Sequence, residues 1–185
     1  DLEKRGAKVD VSKSKEELLM EFRLDKKIKT IGLFPGSREQ EVNKLLGLML
    51  NAAKKISNAQ FVLCQAVSIK DEIIKKYTGS SGLNLKIVKG RTYDVMSASD
   101  LVLVASGTVA LESAIMNVPT VVVYKISQLS WMIWKRIVRV SYVSLPNIIL
   151  NEAVIPELLQ HNANEENILR EMNSLLTDNA RRESM

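Results

Sequence analysis

Ser106, Gly107 and Thr108 follow the apolar run Leu101–Ala105 directly and open a helical pattern that ends before Pro119. A parallel strand that turns through glycine into a helix aims that helix's unpaired N–H groups, and the positive end of its dipole, at whatever lies above the sheet. The occupant such a turn suits is a phosphate. Glu112, several residues into the same helix, adds a carboxylate that can accept hydrogen bonds from a ribose or sugar hydroxyl beside that phosphate. The combination points to a nucleotide-sugar site. Outside that context, Glu112 reads as a solvated helix carboxylate.

A second loop carries compatible chemistry, in the stretch GLFPGSREQEV from Gly32 to Val42. Pro35 and Gly36 force a tight turn straight after an apolar run, Ser37 is placed to cap the helix that follows, and Arg38 is placed to reach back over the sheet. Arginine presents a planar fork that matches a diphosphate better than lysine does. A turn beside a solvated arginine is the plain alternative. The loop is not a P-loop, because Gly-Lys-Ser/Thr is missing, and no GxGxxG dinucleotide fingerprint follows a strand.

Both loops need a scaffold that brings them to one side, and the alternation of patterns supplies it. Apolar runs at Ile28–Phe34, Phe61–Cys64, Leu85–Val88, Leu101–Ala105 and Thr120–Tyr124 are short and rich in Val and Ile. Between them lie amphipathic segments or turns at Glu39–Ile56, Lys70–Tyr77, Tyr93–Ala98 and Thr108–Met116. Near-continuous apolar strands alternating with helices predict an α/β fold, a doubly wound, Rossmann-like parallel sheet covered on both faces, over about residues 26–125. Ligands of such sheets bind at the carboxyl ends of the strands, where both loops fall. Upstream, in residues 1–25, Ser14 and Glu17 have capping-box spacing ahead of a short helix.

Composition bounds the rest. At 185 residues and 46% hydrophobic, the chain has the means for one full core. The net charge of +5 suits anionic partners without choosing among them. The one cysteine, Cys64, sits inside the apolar run FVLCQA and reads as a buried small hydrophobe, so no internal disulfide is available and a reducing, cytoplasmic setting is expected. No apolar run has the length of a membrane span, and no signal peptide is read at the start. Because the first residue is Asp1 rather than Met, a fragment of a longer protein is expected. His161, the only histidine, reads as a surface residue. Tyr93, Asp94 and Met96 read as a helix start, with flanking a uracil as the alternative.

Beyond Lys125 the character changes, and residues 126–185 are read as a helical extension. Ile126–Val140 is dense in apolar residues, with Trp131 and Trp134 ahead of Lys135, Arg136 and Arg139. Packing within the protein, or against a second lobe or subunit, is the expectation; lying on an anionic bilayer is the alternative. Tyr142–Asn147 reads as an extended stretch stopped by Pro146, and Glu152–Gln160 and Glu165–Leu176 read as helices ahead of a frayed end.

Three motifs in this order and spacing, LFPGSREQEV, LVASGTVALESAIMNVPTVVVYK and YVSLPNIILNEAVIPELLQ, resemble the C-terminal half of the lipid-A-disaccharide synthase family from about Lys29 to Leu176. The resemblance implies the donor-binding lobe of a two-lobed GT-B glycosyltransferase. It implies a donor, UDP-2,3-diacylglucosamine, treated as substrate with no cofactor and no metal, and an acceptor, 2,3-diacylglucosamine 1-phosphate. The products implied are the β-linked disaccharide, formed with inversion, and UDP. Residue by residue, Arg38 takes the position of the family's essential arginine on the diphosphate, with Gly36 and Ser37 in its loop, and Glu112 that of the ribose-binding acid. Ser106, Gly107 and Thr108 then cradle phosphate, Asn147 stands in the catalytic position after Ser-Leu-Pro, and Gln160 is a further donor-side residue. The acceptor site and general base belong to the missing half. A peripheral place on the inner face of the cytoplasmic membrane is implied for the whole enzyme, no nucleic acid is expected, and a homodimer is left open. Another GT-B enzyme, such as a UDP-sugar epimerase or a peptidoglycan glycosyltransferase, and a non-catalytic nucleotide-binding module are the alternatives.

Overall fold

The computed structural model describes residues 13–79, 81–105, 107–125 and 142–183. The expected alternation is present. Helix α1 (Lys15–Glu21) is followed by β1 (Lys29–Phe34), α2 (Glu39–Ala53), β2 (Ala59–Gln65), α3 (Asp71–Thr78), β3 (Leu85–Lys89), α4 (Thr92–Ala98), β4 (Leu101–Ala105), α5 (Thr108–Ile115) and β5 (Thr120–Tyr124). After the gap come α6 (Leu145–Leu150), β6 (Glu157–Leu159), a 3-10 turn (Gln160–Asn162), α7 (Glu165–Thr177) and α8 (Asn179–Glu183). The six strands form one parallel sheet in the order β3-β2-β1-β4-β5-β6.

The apolar runs are near-continuous because both faces of the sheet are covered. Alternate strand residues point to opposite faces. Ile31, Leu33, Phe61, Leu63, Leu101, Leu103, Val121 and Val123 pack with Val42, Leu45, Leu46 and Met49 of α2 and Ile168, Met172 and Leu175 of α7. Phe34, Val62, Cys64, Val102, Val104 and Val122 pack on the other side with Leu18 and Leu19 of α1, Val95 and Met96 of α4, and Ala110 of α5. At about 1.5–3 kcal/mol for each large apolar side chain taken fully out of water, these layers hold the strand ends in register. Cys64 belongs to the second layer, and burial pushes its thiol up to about 11, so it is an inert core residue.

Helix α1 begins with the expected capping box: the Ser14 N–H donates to Glu17 Oε2 at 2.7 Å, and the Glu17 N–H donates to Ser14 Oγ at 3.3 Å. Asp100, just before β4, ties that helix to the sheet by accepting from the Thr30 N–H at 2.9 Å, Lys15 Nζ at 3.0 Å and Lys29 Nζ at 3.1 Å. Burial alone would raise the Asp100 pKa, but the Thr30 N–H and the two lysines outweigh it and hold the carboxyl below its ordinary value. A depressed carboxyl stabilises the fold above its unfolded pKa, near 4, and that contribution is lost as pH falls through the folded value. Asp100→Asn is therefore expected to lower stability by about 1 kcal/mol at pH 7 and by less at pH 3, below the unfolded pKa. Urea unfolding midpoints at the two pH values check it; equal losses at both would mean that the charge is irrelevant.

Two sequence expectations are corrected. The stretch Tyr142–Asn147 is not extended throughout, because Pro146 lies in the first turn of α6, where a missing N–H and a fixed φ favour a helix. The helix expected over Glu152–Gln160 is instead strand β6, paired parallel with β5 through Val122↔Glu157, Val123↔Leu158 and Tyr124↔Leu159. Pro156 removes a helical N–H and biases its predecessor towards extended backbone. Its carbonyl accepts the Val122 N–H at 2.9 Å, so the open edge of β5 supplies a partner that no local pattern reveals. The Glu165–Leu176 helix is present as α7, and the end of the chain adds the short α8. The tryptophan-containing segment Ile126–Val140, with Trp131, Trp134, Lys135, Arg136 and Arg139, lies outside the described residues. Among the described residues, no helix is long and apolar enough to cross a membrane.

Candidate functional site

The strand order reverses direction between β1 and β4, which makes their carboxyl ends the topological switch point of the sheet. Phe34 is in register with Val104, so the loop after β1 and the turn after β4 leave the sheet side by side. Gly36, Ser37 and Arg38 thus follow one of these two neighbouring strand ends, and Gly107 and Thr108 follow the other. Ser106 lies outside the described residues.

In the first loop Gly36 has φ 110°, a conformation that side chains disfavour, and an added Cβ would lie 2.3 Å from Glu41 Oε2. Glu41 organises this loop. Its Oε2 accepts the Ser37 N–H at 3.2 Å and the Arg38 N–H at 3.4 Å, while its Oε1 accepts from Arg38 Nη1 at 3.1 Å. Ser37 therefore does not cap α2 as expected; Arg38 is the N-cap residue, and the helix's third residue reaches back to it. The Ser37 carbonyl accepts from Ser68 Oγ at 2.7 Å, which links the loop to the turn after β2. The Arg38 side chain is 82% exposed, so its remaining donors face solvent above the sheet.

The second element, α5, has Gly107 as its N-cap residue, with φ 137°, and a glycine brings no capping side chain of its own. An alanine methyl at Gly107 would meet nothing within 4 Å, so glycine serves the backbone conformation here, not tight packing. The first-turn N–H groups of α5 have no intrahelical partner by construction, and no acidic residue in that turn offsets the positive end of the dipole. Glu112 is half-buried on the second turn and accepts from the Tyr93 hydroxyl at 3.4 Å. Burial first, and then the Glu112 charge, push the Tyr93 phenol above its ordinary value, so it stays a neutral donor. Tyr93 lies in the first turn of α4, as the sequence suggests, and reaches Glu112 from that helix.

Asn147 and Gln160 are placed differently. Asn147 is buried beside the start of β6: its Nδ2 donates to the Ile155 carbonyl at 2.7 Å and to Glu157 Oε1 at 2.9 Å, and its Oδ1 accepts the Ile155 N–H at 2.9 Å. Its amide is thus committed within the protein. Glu157 also accepts the N–H groups of Val143 and Ser144, each at 2.9 Å, and the Ser144 hydroxyl at 2.6 Å, so it holds the entry to α6. Gln160 follows β6 with φ 52°, and its Nε2 is buried without a hydrogen-bond partner among the described residues. A buried donor of that kind calls for an acceptor from water or a ligand.

Sequence reasoning passed over Glu41 and Glu157. For Glu41 a signal exists, since residues 38 and 41 have capping-box spacing with arginine in the N-cap place. Glu157 carries none, because its partners are 10–14 residues away across an unpredicted strand. His161 is exposed in the 3-10 turn, as expected. Among the described residues, no three His, Cys, Asp or Glu side chains are grouped to hold a metal ion.

The profile of the lipid-A-disaccharide synthetase family matches residues 8–185. The lipid-A-disaccharide synthase of Nitrosococcus oceani is 40% identical over 176 residues, which is 93% of this chain and 46% of that protein. That of Geobacter sulfurreducens is 39% identical over 170 residues, 90% of this chain and 44% of that protein. The chain thus spans about half the length of the curated relatives it matches. Among solved structures, the UDP-GlcNAc 2-epimerase of Neisseria meningitidis bound to UDP-GlcNAc superposes with a TM-score of 0.62 at 16% identity, covering 96% of this chain and 44% of that one. The E. coli ADP-heptose lps heptosyltransferase II gives 0.60 at 16% identity over 88% of this chain and 50% of that one. At such identities these structures speak for the fold alone, which is Rossmann-like, of the GT-B type. By profile and by identity, the chain belongs to the lipid-A-disaccharide synthase family.

Proposed function

We propose that this chain is the donor-binding lobe of a glycosyltransferase that moves 2,3-diacylglucosamine from UDP to 2,3-diacylglucosamine 1-phosphate, releasing UDP and the lipid A disaccharide 1-phosphate. The observation that carries the reading is that the loop bearing the exposed Arg38 and the glycine-led start of α5, with no acidic residue in its first turn, leave the carboxyl ends of the paired strands β1 and β4. A diphosphate laid across the switch point meets a guanidinium on one side and backbone N–H groups of Gly107 and Thr108 on the other. As the bond to the sugar breaks, negative charge builds on the departing UDP, and these fixed donors stabilise it without rearrangement. Neither a metal nor a cofactor has a part in the proposal.

Glu112 holds the ribose hydroxyls in this reading, with the Tyr93 hydroxyl on one of its oxygens. Gln160 offers its buried amide to an oxygen of the donor. Asn147 acts as a positioning residue that fixes α6 to β6. The part of the full-length relatives that this chain does not span supplies the acceptor pocket and the general base, and displacement from the face opposite UDP inverts the anomeric carbon. Both sugars carry acyl chains, so the full enzyme works peripherally on the cytoplasmic face of a membrane. The exposed Ile148, Ile149 and Leu150 of α6 add apolar surface to the lobe.

Calorimetric titration of the chain with UDP tests the proposal: micromolar to millimolar binding without added metal is expected, and no detectable binding would sink it. The ribose contact has its own test. Glu112→Gln keeps the shape and removes the anionic acceptor, so UDP affinity is expected to fall by about 1.5 kcal/mol or more with little change in melting temperature. Loss of stability with affinity intact would make Glu112 a structural helix residue.

A further inference from the structure

We infer that Glu41 is a positioning residue for the diphosphate: an internal anion that shapes the Pro-Gly-Ser-Arg loop and holds Arg38 by one nitrogen so that its other donors face the ligand. The inference rests on the donor-binding reading and deepens it. Three donors that would otherwise turn to water converge on this one carboxylate, the N–H groups of Ser37 and Arg38 and the Nη1 of Arg38. Gly36 makes room for it, since any Cβ there would overlap Glu41 Oε2 and would lie 2.8 Å from Glu41 Cβ. The tight turn of the loop and the acid inside it are therefore one device. The Glu41 side chain is 23% exposed while that of Arg38 is 82% exposed, so the anchor is sheltered and the arm it anchors is open.

The geometry also decides between anchoring and competition. Arginine has five N–H donors in a fixed fork. The carboxylate engages only Nη1, which leaves Nε and Nη2 for a bidentate contact with phosphate oxygens. An unanchored arginine at this exposure samples many rotamers and loses that freedom on binding; one held at Nη1 has lost part of it already. The same loop is fixed from the other side by the Ser68 hydroxyl on the Ser37 carbonyl. Glu41 thus acts on the ligand through the loop it shapes and, above all, through the Arg38 side chain that the loop carries.

A double-mutant cycle on this chain tests the inference, with UDP as probe and uridine, read by competition at millimolar concentration, as the control that lacks the diphosphate. Glu41→Ala is expected to weaken UDP about fivefold, to leave uridine unchanged, and to add little in the Arg38→Ala background. Glu41→Gln keeps an oxygen for the two backbone N–H groups and removes the charge facing Nη1, so it guards against a misfolded alanine variant. Its melting temperature is expected to stay, with UDP about threefold weaker and uridine unchanged. Unchanged or tighter UDP binding in a folded Glu41 variant overturns the inference, as do additive losses in the double variant and parallel losses of UDP and uridine. If Arg38→Ala itself binds UDP like the parent, the donor reading of the loop fails and the inference falls with it.

Discussion

Replacing Arg38 with alanine is expected to weaken UDP binding by about 1.5–3 kcal/mol, the usual worth of hydrogen bonds to charged groups, or roughly ten- to a hundredfold in Kd. The effect should be the largest on affinity among the loop residues, because in the proposed donor site Arg38 is the one positively charged side chain of the Pro-Gly-Ser-Arg loop. Stability should change by no more than about 0.5 kcal/mol, since the side chain is 82% exposed and makes one ion pair in the resting loop. Titration calorimetry with UDP, beside a thermal melt of the same sample, separates the two quantities. A folded Arg38→Ala variant that binds UDP as the parent does would remove Arg38 from the site. The affinity difference should also shrink at high ionic strength, because an exposed guanidinium is screened by salt before it meets the phosphate.

What the sequence disclosed follows from the range of the interactions concerned. Strands β1 to β5 were legible because a sheet covered on both faces needs unbroken apolar runs, and Leu101–Ala105 and Thr120–Tyr124 are such runs. The switch-point loops were legible because Pro35, Gly36 and Gly107 mark turns by backbone conformation, a local property. Strand β6 was not, because Val154, Ile155, Leu158 and Leu159 have helical spacing and only the open edge of β5 overrules it. The capping of α2 was read in the wrong register, since serine is the commoner cap and the chain uses Arg38 with Glu41 instead. Placing Asn147 in the sequence by its motif said nothing of its partners. Those depend on residues in the 152–157 turn and on β6, and both were misread as helix.

The largest expected effect on stability belongs to that asparagine. Asn147→Ala removes three hydrogen bonds at a buried position and leaves the N–H and the carbonyl of Ile155 without partners, while Glu157 loses one of its donors. Each orphaned buried group costs about 1–3 kcal/mol, so a total of about 2–4 kcal/mol is expected, or a melting temperature lower by roughly 5–15 °C for a chain of this size. Asn147→Asp should be worse than its near-identical shape suggests. It keeps the acceptor for the Ile155 N–H but loses the donor to the Ile155 carbonyl, and it sets a second carboxylate 2.9 Å from Glu157 Oε1. Because Glu157 also holds the N–H groups of Val143 and Ser144, the damage should spread to the entry of α6 and appear as faster amide exchange at those two residues. UDP affinity measured well below the melting temperature discriminates between two roles. If Asn147 positions α6 and β6, affinity in the folded variant stays within about twofold of the parent while stability falls. If the affinity collapses and the melting temperature holds, the amide meets the donor directly, and its hydrogen bonds to Ile155 and Glu157 must exchange for the ligand on binding.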